Sequence, residues 1–298
     1  ETFTSLLDPL TIDIPCLLLP ICGIPIIELM LNSLSSAEEI FICINRHKRQ
    51  LETYLEKYHK TQLNYKLIYN ENFKNFVDCL RHIKQGKYIS SDFILIHGLV
   101  IINADIEELF KKYLKNKKLD NNCILTSIMK KYITTNEIRT NYDDNILIYN
   151  ENNNKILQFE PTNDKKKVEI YKGIIIENSN SEDKTDNNLI VRSDLIETGI
   201  YICAHNFLEQ MTENLKNNYH RIRDSVGQIL SEGKYIDTFY LEELNRDTYC
   251  GLIRNVESYL RVNLEINRWT FTLVIDNIDM SNELGINLKQ MKLSVSSD

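Results

Sequence analysis

The chain has 298 residues, 43% of them hydrophobic, and a formal net charge of −7 at pH 7. That is enough apolar material for one large core, or a large domain with a small appendage, without help from disulfides. The acidic balance excludes a broad electrostatic footprint for nucleic acid, and no basic, aromatic-studded motif points to direct RNA contact. Seven cysteines include no CxxC pair and no Cys/His cluster at zinc spacing. That argues against a disulfide framework and a structural metal, and for a reducing cytosol. The chain begins at Glu1 with neither a Met nor a signal-peptide pattern, so it reads as a fragment, or as a product whose true start lies upstream.

Residues 16–34, CLLLPICGIPIIELMLNSL, approach the roughly 20 apolar residues of a membrane span. Pro20, Pro25 and Glu28 interrupt the run, which fits a buried strand end leading into an amphipathic helix. Short β-branched runs then alternate with helical patterns. Residues 40–44, 65–69, 93–96 and 124–128 read as buried strands, and 46–59, 73–84 and 105–114 as surface helices, the last capped at Asn103 or Asp105. This succession predicts an α/β fold, a mostly parallel sheet flanked by helices.

The second half changes character. Residues 146–149, 155–159 and 168–176 are short, close together and separated by Asn-rich turns, which predicts an antiparallel excursion from the sheet. Asp143 and Asp144 read as turn formers, and 177–188 (ENSNSEDKTDNN) as a solvated loop. Strand-like 199–203 and 235–241 return to the core. Between them 221–230 places Ile222, Val226 and Ile229 on one helical stripe. Val256, Leu260, Leu264 and Ile266 mark a last helix before Arg268 and Trp269. The expected organisation is one domain over 1–275 and a linker or stub over 276–298, with no hexapeptide array.

Pro9, Leu10, Thr11, Pro15, Leu18, Leu19, Pro20, Pro25 and Ile27 match the pattern PLTxxxPKxLLPxxxKPxI, and so resemble the sugar nucleotidyltransferases. Cys16 and Ile24 stand where that pattern has lysines, which neutralise phosphate charge in active members. Gly98 is followed by Leu99 where the family has a magnesium-binding Asp. An alignment anchored on Glu257 and Asn263 puts Leu252 at a second carboxylate position. Magnesium needs oxygen ligands, so leucine removes those contacts. Residues 1–7 contain no glycine, and the phosphate loop and the first strand before it are expected to be missing. His97 beside Gly98 is a lone histidine at a strand end and reads as structural.

Among degenerate relatives the chain resembles the epsilon subunits of eukaryotic translation initiation factor 2B. FILIHGLVIIN at 93–103, DLIETGIYIC at 194–203 and NRWTFTL at 267–273 carry the likeness. The resemblance implies a nucleotidyltransferase-like, Rossmann-like domain with no catalytic, cofactor or metal residues of its own. It would act as a binding and scaffolding part of the factor that exchanges GDP for GTP on initiation factor 2. The partners implied are the gamma subunit, the other subunits of that complex, and initiation factor 2. Asn214 with Leu215 keeps half of an Asn-Phe motif with which the family engages initiation factor 2. The family's exchange activity belongs to a C-terminal domain for which 276–298 leaves no room. The gamma subunit of the same complex and an active pyrophosphorylase are the alternatives.

Overall fold

A computed structural model describes residues 5–58, 63–132, 145–162, 169–170, 188–213, 222–232 and 237–269. Short 3-10 turns at Ser5–Leu7 and Cys16–Leu18 precede a hairpin of β1 (Pro20–Ile21) and β2 (Ile24–Pro25). Cys22 and Gly23 close it with φ of 49° and 85°, the positive values that let a two-residue turn follow strand twist. Pro25 pre-sets the entry to α1 (Ile26–Ser33), which buries Ile26, Ile27, Leu29 and Leu31. The apolar run at 16–34 is thus a turn, a hairpin and a short helix. No helix among the described residues is long and apolar enough to cross a membrane.

β3 (Ile40–Ile44) crosses through α2 (Lys48–Tyr58) to pair in parallel with β4 (Tyr65–Tyr69). Next comes α3 (Phe76–Gln85), capped by the Asn75 side chain, which accepts from the Asp78 N–H at 3.0 Å. β5 (Phe93–Ile96) follows, then β6 (Leu99–Ile102) and α4 (Ile106–Leu119). Of the two candidate caps for α4, Asp105 serves, accepting from the N–H groups of Glu107 and Glu108 at 2.9 and 3.2 Å.

The later elements are β7 (Cys123–Lys131), β8 (Asn145–Asn150), β9 (Lys155–Pro161), β10 (Leu189–Arg192), β11 (Leu195–Cys203), α5 (Phe207–Glu213), α6 (Ile222–Glu232), β12 (Thr238–Glu243), β13 (Cys250–Ile253) and α7 (Val256–Trp269). The main sheet runs β10-β8-β9-β12-β7-β11-β5. β12 is parallel to β7, and β11 is antiparallel to both β7 and β5. β5, β7 and β12 therefore share one direction, with β11 inserted against them. β8, β9 and β10 form the antiparallel excursion. This is an α/β fold with a mixed sheet flanked by helices. Residues 133–144, most of the expected strand at 168–176, most of the loop at 177–188, and the stub at 276–298 lie outside the described residues.

Two details differ from the sequence reading. α7 continues through Trp269, and Leu260 and Leu264 are each 56% exposed, while Val262 and Ile266 carry the buried face. The helix starts where Asn255 accepts from the Ser258 N–H and the Ser258 hydroxyl accepts from the Asn255 N–H, a reciprocal cap that sets its rotation. The second detail is a close approach of α6 to β9. A Cβ on Gly227 would lie 2.5 Å from the Phe159 carbonyl oxygen. Gly227→Ala is therefore expected to cost roughly 1–3 kcal/mol through forced separation of helix and strand, read as a lowered denaturation midpoint.

Candidate functional site

The region that would carry the family's chemistry lies where β5 ends. His97 donates its backbone N–H to the Gly199 carbonyl at 2.8 Å, and Gly98, at φ 119°, turns the chain into β6. β6 pairs with β13 so that Leu99 faces Ile253 and Val100 faces Leu252. Directly paired residues share a face, and successive residues alternate. Leu99 and Leu252 therefore project from opposite faces of this two-stranded ribbon. They sit one register step apart, but do not converge as two ligands of one ion would.

Each leucine is buried among apolar side chains. Leu99 packs in a buried cluster with Leu7, Leu19, Ile24 and Ile253, against which Cys16 also packs. Burial pushes the Cys16 thiol up to about 11. Three of the positions at which the resemblance expects charged groups, Cys16, Ile24 and Leu99, are thus one apolar contact region. Leu252 covers Gly98 and Gly199. A Cβ on Gly98 would lie 2.9 Å from Leu252 Cδ1, and one on Gly199 would lie 3.1 Å from the same atom and 2.9 Å from the His97 carbonyl oxygen. Both glycines have positive φ, so they combine turn geometry with room for the leucine.

Polar chemistry beside this region is concentrated in a buried cluster that sequence reasoning missed. Glu197, on β11, lies 3.1 Å from the Arg254 guanidinium and 3.8 Å from that of Arg223, and accepts from the Tyr201 hydroxyl at 2.7 Å. The side chains of Arg223 and Glu197 are only 1% and 3% exposed. Burial raises the Glu197 carboxyl, but Arg254, Arg223 and the Tyr201 hydroxyl together hold it below the ordinary glutamate range. Tyr201 is pushed well above its usual value, first by burial and then by the Glu197 charge. A shift in the β11 register between Glu197 and Tyr201 lets two residues four apart on a strand meet. The signals available in sequence were an acid inside the apolar run LIETGIYIC and an arginine next to Ile222 on the α6 stripe.

His97 packs its ring against Phe76, with centroids 5.1 Å apart. It also adds a small favourable field at Glu197. Among the described residues no three His, Cys, Asp or Glu side chains are arranged to hold a metal ion. Asn214, Leu215, Asp143 and Asp144 lie outside the described residues.

The nucleotidyl transferase family profile matches residues 4–248. Translation initiation factor eIF2B subunit epsilon of Dictyostelium discoideum is 26% identical over 95% of this chain and 39% of its own length. The Schizosaccharomyces pombe subunit of the same name is 26% identical over 93% of this chain and 41% of its own. The chain thus spans about two fifths of the length of these curated relatives. Among solved structures, a putative glucose-1-phosphate thymidylyltransferase from Bacillus anthracis superposes with a TM-score of 0.61 at 15% identity, covering 88% of this chain and 90% of that one. The inositol-1-phosphate CTP transferase of T. maritima gives 0.58 at 12%, covering 89% and 93%. The shared fold, the profile match over most of the chain and the proline pattern at its start place this chain in the nucleotidyl transferase family.

Proposed function

We propose that this chain is a non-catalytic binding and scaffolding domain of an epsilon-type subunit of translation initiation factor 2B, working in the cytosol. The observation that carries this reading is the burial of Ile24 and Leu99 in one apolar cluster, against which the half-buried Cys16 packs. Nucleotidyl transfer needs cations around the phosphates and oxygen ligands around magnesium. A thiol and two aliphatic side chains supply neither. Similarity to two curated epsilon subunits over nearly the whole chain supports a retained surface rather than a retained reaction. In this role the domain pairs with the gamma subunit and helps to hold initiation factor 2, without contacting nucleic acid directly.

Two measurements test this. Incubated with magnesium, nucleoside triphosphates and sugar phosphates, the chain is expected to release no pyrophosphate above background. Release that requires both substrates would overturn the reading. The chain is also expected to capture the cognate gamma subunit, burying at least about 1,200 Å². Failure to bind any subunit of that complex would remove the scaffolding role. Asn214→Asp with Leu215→Asp, made in the same chain, is expected to weaken capture of initiation factor 2 and to spare capture of gamma.

A further inference from the structure

β3 faces α3 through alternate residues. Side chains two apart on an extended strand share a face, so Phe41, Cys43 and Asn45 point the same way. The Phe41 ring meets that of Tyr88, just past the end of α3, with centroids 5.6 Å apart. The Asn45 side chain donates to the carbonyl oxygen of Phe73, just before α3 begins, at 2.9 Å. Between these two fixed ends Cys43 meets Cys79 of α3, and the two thiols share a hydrogen bond. Phe41, Cys43, Cys79 and Tyr88 also pack against the same core cluster. Strand and helix thus run past each other in opposite directions, with a contact on either side that holds the two sulfurs together.

The pair has the chemistry of a dithiol. A hydrogen bond donated by Cys79 holds the Cys43 thiol below its ordinary value, against the effect of burial. Cys79 is pushed the other way, first by that same bond and then by burial. Cys43 is therefore the sulfur that ionises first, and the thiolate is the nucleophile. Other cysteines are differently placed. Burial raises Cys22, pushes Cys16 and Cys123 up to about 11, and holds Cys203 well above the usual thiol range. Cys43 and Cys79 are both free and half-buried, so they are not sealed from a small solute. Among the described residues they belong to no group of three metal-ligating side chains.

We propose that Cys43 and Cys79 form a reversible thiol–disulfide site, which takes hydrogen peroxide as its oxidant and fastens β3 to α3 when oxidised. The Cys43 thiolate attacks one peroxide oxygen. The S–O bond forms as the O–O bond breaks, and the hydroxide that leaves takes up the proton that Cys43 had given to solvent. The Cys79 sulfur then attacks the sulfenic sulfur of Cys43. The S–S bond forms, the S–O bond breaks, and the oxygen departs as water with the Cys79 proton. Two electrons pass from the sulfurs to one peroxide, which yields two molecules of water. A thiol reductant reverses the link by exchange. In a reducing compartment the pair rests as thiols and closes only under an oxidant, as a redox-sensing pair does. The closed link encloses α2 and β4 in one loop, which restrains the unfolded chain.

The test treats the full chain with an equimolar amount of hydrogen peroxide, blocks the remaining thiols with iodoacetamide and maps the peptides without reduction. The expected product is a Cys43 peptide joined to a Cys79 peptide, absent without peroxide and split by dithiothreitol. The linked chain is expected to show a denaturation midpoint raised by about 5 °C. Alkylation of both cysteines after peroxide, or links that join other cysteines or two chains instead, would overturn the site. An unchanged or lowered midpoint in the linked chain would overturn its role in fastening β3. Cys79→Ser separates the two steps, since it is expected to stop at a Cys43 sulfenic acid that dimedone traps. Dimedone spread evenly over the other cysteines would show that Cys43 is not the reactive sulfur.

Discussion

Glu197→Gln is expected to destabilise the domain by about 3–5 kcal/mol, the usual effect of removing one charge from a buried ion pair. The substitution keeps the shape of the side chain and one hydrogen bond to Tyr201, but it sets a neutral amide against Arg254 and Arg223, the latter keeping the Asp224 carboxylate at 3.6 Å. Arg223 is the more exposed to this loss, because it is almost fully buried and lies in the first turn of α6, where the helix dipole disfavours a cation. The pH dependence gives a second reading. The Glu197 carboxyl is held below its ordinary value of 4.5 in the folded state. Its contribution is therefore fully present above that value and is lost as pH falls through the lower folded value. Wild type and variant should differ most near neutrality and converge in acid. Denaturant titrations at several pH values would measure this, and a constant gap down to pH 3 would show that charge is not the cause.

Leu99→Asp is expected to carry a cost of similar size that likewise grows as pH rises, and to gain no nucleotidyl transfer. The new carboxyl would sit among Leu7, Leu19, Ile24 and Ile253, with no cation in that cluster to pair it. Burial would raise its folded value above the unfolded aspartate value of about 3.9. The variant should be closest to wild type in acid and lose stability as pH rises toward the folded value, by roughly 3–5 kcal/mol in total. Magnesium should not restore it, since the cluster around Leu99 contains no carboxylate to share the ion. Recovery of stability in millimolar magnesium, or any pyrophosphate release, would mean that the site can still be assembled.

The strands and helices of the first half were legible because each shows one clear period. IFICI, YKLIY and FILI are short apolar runs bounded by polar turns, and Asn75 and Asp105 are capping residues at helix starts. β6 escaped notice because Leu99–Ile102 follows β5 after only His97 and Gly98, so the two strands read as one stretch. In α7 a stripe drawn through Leu260 and Leu264 chose the wrong face. Its rotation is fixed by Asn255 and Ser258 at the cap and by Val262 and Ile266 in the core, not by the most apolar spacing. The altered positions of the family site were legible from the proline pattern, but their consequence was not. Register alone shows that Leu99 and Leu252 look away from each other. The Glu197 cluster was hidden because its arginines arrive from α6 and from the turn after β13, and nothing local marks an ion pair between distant segments.

The order β12-β7-β11-β5 also governs how the molecule can be made. β7 and β5 are not adjacent. The strand that joins them, β11, is translated some 60 residues after β7 ends, and the parallel neighbour on the other side of β7 comes later still. Until β11 emerges from the ribosome, β5 and β7 have no bond between them. Until β12 emerges, β7 has one open edge. Pairings so far apart in sequence form slowly and leave edges exposed while they wait. Chains truncated before residue 243 should therefore aggregate rather than fold as a smaller unit, and helper proteins that shield strand edges should matter most during synthesis of the stretch between β7 and β12.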